Sequence, residues 1–246
     1  MTDISPLTHF VRKLNGHVDL SDEDRAMLLG LPYSERDVNA SAMLTREGEA
    51  PGSCTILVRG FACRHKLALN GNRQIVSLHI PGDPLDLQHL YLDCADHNVQ
   101  ALTRASLAMV SRGDLRRVAQ QSATIAQAFA VSNLVEASIC REWVLNVGRR
   151  SARQRLAHLL CELATRLERH GLVIEGCFEL PFSQEQLGDA TGMTAVHVNR
   201  TLGFMEDDGL ISRKGRSYEV PNWTALKDEA GFDPLYLHLN QQGAAA

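Results

Sequence analysis

The chain has 246 residues, 44% of them hydrophobic and 22% charged, with a formal net charge of -4. That length suits two modest domains, each able to bury a core, and the charge excludes a uniformly basic nucleic-acid coat. Any DNA contact must then come from local patches such as Arg149, Arg150, Arg153 and Arg155.

Up to about Leu31 the chain reads as helical. Ser21-Asp-Glu-Asp offers a cap followed by first-turn acids, and Met27, Leu28 and Leu31 supply an apolar side. From Arg36 to about Arg112 short β-rich runs take over, at 54–59, 61–67 and 74–80. Gly48, Pro51-Gly52, Gly60, Asn70-Gly71 and Pro81-Gly82-Asp83 divide them. Asn-Gly between two such runs predicts a hairpin, and many short strands with regular glycines predict a jelly roll or barrel.

Helix formers then run from Leu115 to about Val147. Ile125, Phe129, Ser132, Glu136, Ile139 and Trp143 follow alternating spacings of four and three, the spacing of a coiled-coil seam. Two of these six are polar, and packing against the roll accounts for some of the apolar ones equally well. Gly148 weakens the helix and Ser151 can cap another, which places a hinge at 148–151. The next helix reaches about His170 with Leu156, Leu159, Leu160, Leu163 and Leu167 on one face, and ends at Gly171.

The stretch from Ser183 to Leu210 carries the densest signal. Ser183 with Gln186 three residues on is a capping box. Leu187 and Ala190 give a short helix one apolar side, and Gly192 can take the left-handed conformation that ends it. Thr194 caps a second helix whose buried side is Val198, Leu202 and Met205, leaving Ala195, Val196, His197, Asn199 and Arg200 for other contacts. Two short helices joined by a glycine turn form a helix-turn-helix, whose second helix enters the DNA major groove; the alternative is a helical hairpin buried in an enzyme. Leu210 and Ile211 then begin a strand, Lys214-Gly215 turns, and Tyr218 and Val220 return inward. Such a wing sets Arg213, Lys214 and Arg216 at its tip for phosphates, unless they form an ordinary solvated turn. Asn222 caps a further short helix, and 232–238 is an aromatic extension that packs on the winged helix or serves a partner.

The run "SQEQLGDATGMTAVHVNRTLGFMEDDGLI" resembles the DNA-binding signature of the Crp/Fnr family of bacterial transcription regulators. "REGEAPGSCTILVRG" and "NGNRQIVSLHIPGD" are similar to the glycine framework of that family's sensor roll. The resemblance implies an α+β chain: an N-terminal cyclic-nucleotide-binding-like jelly roll, a long dimerisation helix and a C-terminal winged helix-turn-helix. It places the roll at 1–112, the dimerisation helix at 113–148, the winged helix at 151–230 and a C-terminal extension at 231–246. It implies a homodimer paired through Ile125, Phe129, Ser132, Ile139 and Trp143. The dimer would bind a palindromic double-stranded DNA site, with RNA polymerase as a further partner of an activator. Ser183, Thr194, Ala195, Val196, His197, Asn199, Arg200, Arg213, Lys214 and Arg216 are the expected DNA contacts. In the family an arginine at the position of Arg200 reaches a guanine. A glutamate usually stands where this chain has Val196.

The sensing chemistry departs from the family pattern. Cyclic-nucleotide members carry a Gly-Glu pair and an Arg-Ser or Arg-Thr pair; here the corresponding stretches are 82–91 and 96–101, and neither pair is present. Arg104 lies a few residues on, read as within a strand. The adenine-contacting polar pair on the long helix falls at Cys140 and Arg141. A cyclic nucleotide is therefore not expected, and the effector is unknown. The first cysteine is Cys54, so the N-terminal thiolates of an iron–sulfur sensor are missing. His65, His79, His89, His97, Cys63 and Cys94 are formal haem ligands without a distinguishing context. No H-x-H occurs in the roll, and neither G-x-S-x-G nor a P-loop occurs anywhere, so neither a jelly-roll metalloenzyme nor another enzyme is expected. An interaction module without DNA binding is the remaining alternative. Six cysteines without a C-x-x-C pair, no leader-like start and no stretch near the roughly 18 apolar residues of a membrane span predict a cytoplasmic chain without a metal or other cofactor.

Overall fold

The computed structural model describes residues 5–239, so the Ala-rich tail at 243–246 and the end of the expected C-terminal extension lie outside it. The chain packs as two compact units. One comprises residues up to His65, Leu78–Ser138 and those from Leu237 on; the other comprises Lys66–Ser77 and Ile139–Tyr236.

The first unit opens with helices α1 (Thr8–Asn15) and α2 (Asp22–Leu29). Ser21 caps α2 in a capping box with Asp24, as its sequence predicts. Strands β1 (Tyr33–Val38), β2 (Met43–Thr45), β3 (Ser53–Arg59), β4 (Ala62–Leu67), β5 (Arg73–His79), β6 (Asn98–Ala101) and β7 (Ala105–Ser111) follow in the chain, with a 3-10 turn at Leu87–Leu90; of these, the β4–β5 segment Lys66–Ser77 is grouped with the second unit. They form one sheet of order β1-β7-β3 and another of order β2-β6-β4-β5. Val38, Leu57, Ala62, Val99, Ala101 and Leu107 meet between the sheets as the core of the expected roll. A second core joins Phe10 and Leu14 of α1, Ile56 of β3 and Val110 of β7 to the helices that follow.

Those helices correct one expectation. The predicted run from Leu115 is two helices, α3 (Arg112–Gln121) and α4 (Ala123–Arg149). Ser122 between them is extended, and its hydroxyl donates to Asp24 Oδ1 at 2.5 Å while accepting from Ile125 N. A partner 98 residues away decides this break. Arg104 also lies in the turn between β6 and β7, not in a strand, and is mostly exposed. The expectation that no stretch approaches a membrane span is corrected too. Helix α4 is long and apolar enough by composition to cross one, with a mean hydropathy of 1.3 over its best window.

A chain of polar groups is buried in the roll. The Arg64 guanidinium donates to Leu85 O at 2.5 Å and Gln88 Oε1 at 3.2 Å, and pairs with Glu136 of α4. Asp83 accepts from Ile80 N and pairs with Lys13 at 2.5 Å. Among the described residues Asp86 accepts a single long 3.4 Å bond, from Thr45, and its other oxygen stands 3.7 Å from His89 Nδ1. His89 in turn stacks on His97. Burial keeps both imidazoles below their usual range.

The second unit contains α5 (Ala152–Glu168), β8 (Cys177–Glu179), α6 (Gln184–Thr191), α7 (Ala195–Asp207), β9 (Ser212–Lys214), β10 (Ser217–Glu219) and α8 (Trp223–Ala230). Helix α4 continues through Gly148 to Arg149, and Ser151 caps α5 in a capping box with Gln154. Strand β8, which the sequence reading missed, completes a three-stranded sheet of order β8-β10-β9. The aromatic extension packs on α5: Phe232 and Tyr236 stack around His158, and the Tyr236 hydroxyl donates to Glu162 at 2.9 Å.

Burial pushes the Asp86 carboxyl up to about 6 from 3.8. The folded state thus holds that proton more tightly than the unfolded one, and stability falls as pH rises from about 4 to about 6. Asp86→Asn removes the burdened charge and keeps an oxygen for Thr45. It should stabilise the protein by about 2–3 kcal/mol at pH 8, and by progressively less as the pH is lowered to 5. Thermal or urea unfolding of both proteins across that range checks it; a pH-independent difference would contradict it.

Candidate nucleic-acid interface

The helix-turn-helix is built by local rules. Ser183 Oγ accepts from Gln186 N at 3.1 Å, and Gln186 Oε1 accepts from Ser183 N at 2.9 Å, so α6 starts where the capping box predicts. Gly192 ends it in the left-handed conformation, φ 68°. Thr194 Oγ1 then accepts from His197 N at 3.2 Å and starts α7. Val198, Leu202 and Met205 of α7 are fully buried. That anchored stripe leaves Val196 81% exposed, with Asn199 and Arg200 beside it in solvent. Ala195 and His197 are half-buried. Gln184 Nε2 donates to Asn199 Oδ1 at 2.9 Å, so the first helix orients a side chain on the second.

Gly188, in the middle of α6, is a residue the sequence reading did not single out. Its carbonyl accepts from Met193 N at 3.0 Å, and a Cβ on it would stand 2.4 Å from Met193 O. The turn therefore rests directly on the helix backbone. An isolated glycine inside a helical pattern was the available signal.

The wing places its cations unequally. Lys214 and Arg216 are exposed beside Gly215, which turns with φ 66°. Arg213 instead pairs with Glu206 of α7 at 2.5 Å, and this bond holds the Glu206 carboxyl below the usual carboxylate range. Arg213, expected at the wing tip with the other two cations, is thus tied to α7. The same pairing takes up the carboxylate that could otherwise have neutralised Arg200.

The arginine cluster at 149–155 is also mostly committed. Arg150 pairs with Glu142 at 2.6 Å, and Arg153 pairs with Asp208 and with Glu229. Arg155 donates to Arg150 O and Thr191 O, both at 3.0 Å. Arg149 is exposed. An open groove of about 600 Å³ runs between the start of α5 and α7, lined by Ser151, Arg153, His197, Arg200, Phe204 and Asp208 among others.

The expected dimer residues fall elsewhere. Ile125 and Phe129 are fully buried in the first unit's core, Ser132 and Trp143 are buried and Ile139 half-buried, so the predicted seam faces the chain's own interior. The outward face of α4 is Ala130, Leu134, Ala137, Arg141 and Val144, also at spacings of four and three. Leu134 and Val144 are 67% and 69% exposed.

For other chemistry the described residues offer little. No group of three or more His, Cys, Asp or Glu among them could hold a metal ion. Cys54, Cys63 and Cys161 are buried, and burial pushes the Cys54 and Cys161 thiols up, the latter to about 12. Cys94 and Cys140 are exposed.

Residues 154–229 match the Crp-like helix-turn-helix domain, and residues 35–122 match the cyclic nucleotide-binding domain. The chain is 27% identical over 218 residues to the transcriptional activator protein FnrL of Cereibacter sphaeroides, covering 86% of each chain. It is 26% identical over 184 residues to the nitrogen fixation regulation protein FixK of Rhizobium meliloti, covering 74% of this chain and 80% of that one. Among solved structures it is similar to FixK2 from Bradyrhizobium japonicum, with a TM-score of 0.76 and 25% identity over 82% of this chain and 100% of that one.

Gly188→Ala should lower stability by about 1–3 kcal/mol through the clash with Met193 O. Gly203→Ala on α7, where a Cβ meets nothing within 4 Å, should raise it by about 0.5–1 kcal/mol through helix propensity. A Gly188→Ala midpoint at or above that of wild type would refute the close approach.

Proposed function

The chain belongs to the Crp/Fnr family of bacterial transcription regulators, and we propose that it binds a palindromic DNA site as a homodimer through α7 and the wing. The observation that carries this reading is the capped, anchored helix α7 with Val196, Asn199 and Arg200 turned to solvent and Glu206 taken up by Arg213. A free guanidinium can fork onto O6 and N7 of guanine in the major groove. Val196 cannot accept a hydrogen bond, and its methyls suit a thymine methyl. The half-site then contains a guanine, and its second specified base differs from the usual family half-site. Ser183, Thr194, Lys214 and Arg216 set the helix on the phosphates, with Ala195, His197 and Asn199 along the groove floor. Arg213 acts through Glu206.

The dimer uses α4. Its outward face supplies Ala130, Leu134, Ala137 and Val144 at heptad spacing, and a second copy of that face would cover it. This also accounts for the helix's membrane-like hydropathy, since Glu136, Arg141 and Glu142 interrupt it. In this arrangement the roll to about residue 112 is the sensing part, 113–148 the dimer helix and 151–230 the DNA reader. The names of the relatives, a transcriptional activator and a nitrogen fixation regulation protein, support a cytoplasmic regulator rather than an enzyme. RNA polymerase is the further partner where the bound dimer activates.

Two experiments test the reading. Selection of binding sites from random DNA should give wild type a two-fold site with half-sites about one helical turn apart. Arg200→Ala should cost about 1–3 kcal/mol per half-site and relax the guanine position. Lys214→Ala should weaken all sequences alike and reduce the salt slope by about one; identical base preferences in wild type and Arg200→Ala would remove the direct-readout role. Separately, wild type should scatter light as a dimer at micromolar concentration and Leu134→Asp as a monomer, whereas a monomeric wild type would dispose of the α4 seam.

A further inference from the structure

The tip of the β4–β5 hairpin reaches the first helix of the DNA reader. Asn70-Gly71 turns it, with Ala68 N donating to Asn72 O at 2.9 Å and Gly71 at φ 84°. Just after the turn, Arg73 donates to Asp189 Oδ2 through Nε at 2.7 Å and lies 2.6 Å from it through Nη2. Gln74 Nε2 donates to the Asp189 carbonyl at 2.7 Å. One residue of α6 is thus held by two neighbouring side chains of the hairpin, and both charges are mostly shielded from solvent, at 23% and 20% exposure.

Local rules give no reason for an acid at this position. Asp189 lies in the last turn of α6, where the helix dipole disfavours negative charge, and on a reader whose ligand is a polyanion. Its pairing with Arg73 supplies a reason. The same end of α6 is gripped on two further sides. Arg155 of α5 donates to Thr191 O, and Gly192 lies so close to Val147 of α4 that a Cβ would stand 3.2 Å from it. With all three grips closed, Val196, Asn199 and Arg200 remain exposed.

We propose that Arg73 and Gln74 are positioning residues for DNA recognition: acting through Asp189, they hold the helix-turn-helix in the posture that reads DNA. This rests on the DNA-binding reading above. The contact is made by two neighbouring side chains of the hairpin on one residue of α6.

The test uses full-length protein and the site that wild type selects. Arg73→Ala alone is ambiguous, because losing a cation weakens any DNA contact. Asp189→Asn is decisive: it removes a negative charge, which by electrostatics alone should tighten binding. The latch predicts the opposite, about a tenfold loss for Asp189→Asn and for Arg73→Ala. The double variant should be no worse than either single one, as expected of a shared interaction. The charge exchange Arg73→Asp with Asp189→Arg should recover most of the loss. Salt slope, selected bases and melting midpoint should stay at wild-type values. Should Asp189→Asn fail to fold, Gln74→Ala replaces it, with about a threefold loss expected. Asp189→Asn, or its replacement, binding as tightly as wild type or tighter overturns the latch and leaves the DNA-binding reading standing. A wild type that selects no DNA at all overturns the reading itself.

Discussion

A carboxylate without access to water organises the second unit. Glu162 of α5 is fully buried, and a buried charge is tolerated only when it is paired and its lone pairs are filled. Three donors meet that demand: Trp143 Nε1 from α4 at 2.9 Å, the Tyr236 hydroxyl from the C-terminal segment at 2.9 Å, and Arg166 one turn on at 3.1 Å. The need to satisfy one side chain therefore fixes the end of α4, the register of α5 and the return of the extension. Burial and the nearby carboxylate push the Tyr236 hydroxyl well above its usual range, so it stays a donor. Helix α5 is then a fixed platform, and α8 and α7 pack on it. The exposed edge of α7 can be aimed only because that platform is rigid.

What could be read from the sequence follows the range of the forces involved. Caps and glycine turns are local. Ser21, Ser151, Ser183, Thr194 and Asn222 each start the helix their spacing predicts, and Gly192 ends α6 in the conformation only glycine adopts easily. The buried stripe of α7 was equally legible, because Val198, Leu202 and Met205 stand among polar neighbours. Helix α4 was not. It is apolar nearly all round, so periodicity alone cannot say which side faces inward. Ser132, Ser138 and Asn146 are buried while Leu134 and Val144 are exposed, the reverse of what polarity suggests. The break at Ser122 and the pairing of Arg213 were hidden for the same reason. Asp24 and Glu206 decide them from positions that composition does not mark.

The same long-range pairing explains how an acidic chain can be a DNA reader. Cations near the reader look abundant in the sequence, but half of the eight named here have a structural task. Arg150, Arg153 and Arg213 pair with carboxylates, and Arg155 holds two backbone carbonyls. Arg149, Arg200, Lys214 and Arg216 remain exposed. Each cation tied up in this way is withdrawn from the non-specific, counterion-driven part of DNA binding. A larger share of the affinity then has to come from contacts that depend on geometry, which are the contacts that carry sequence information. A reader of this kind is sensitive to small errors in the placement of α7. That sensitivity is the physical reason for tying the helices together by Gln184 to Asn199, by the bare backbone of Gly188 under Met193, and by Arg213 to Glu206. Each tie removes a freedom that would otherwise have to be lost when DNA is bound, so rigidity here substitutes for charge.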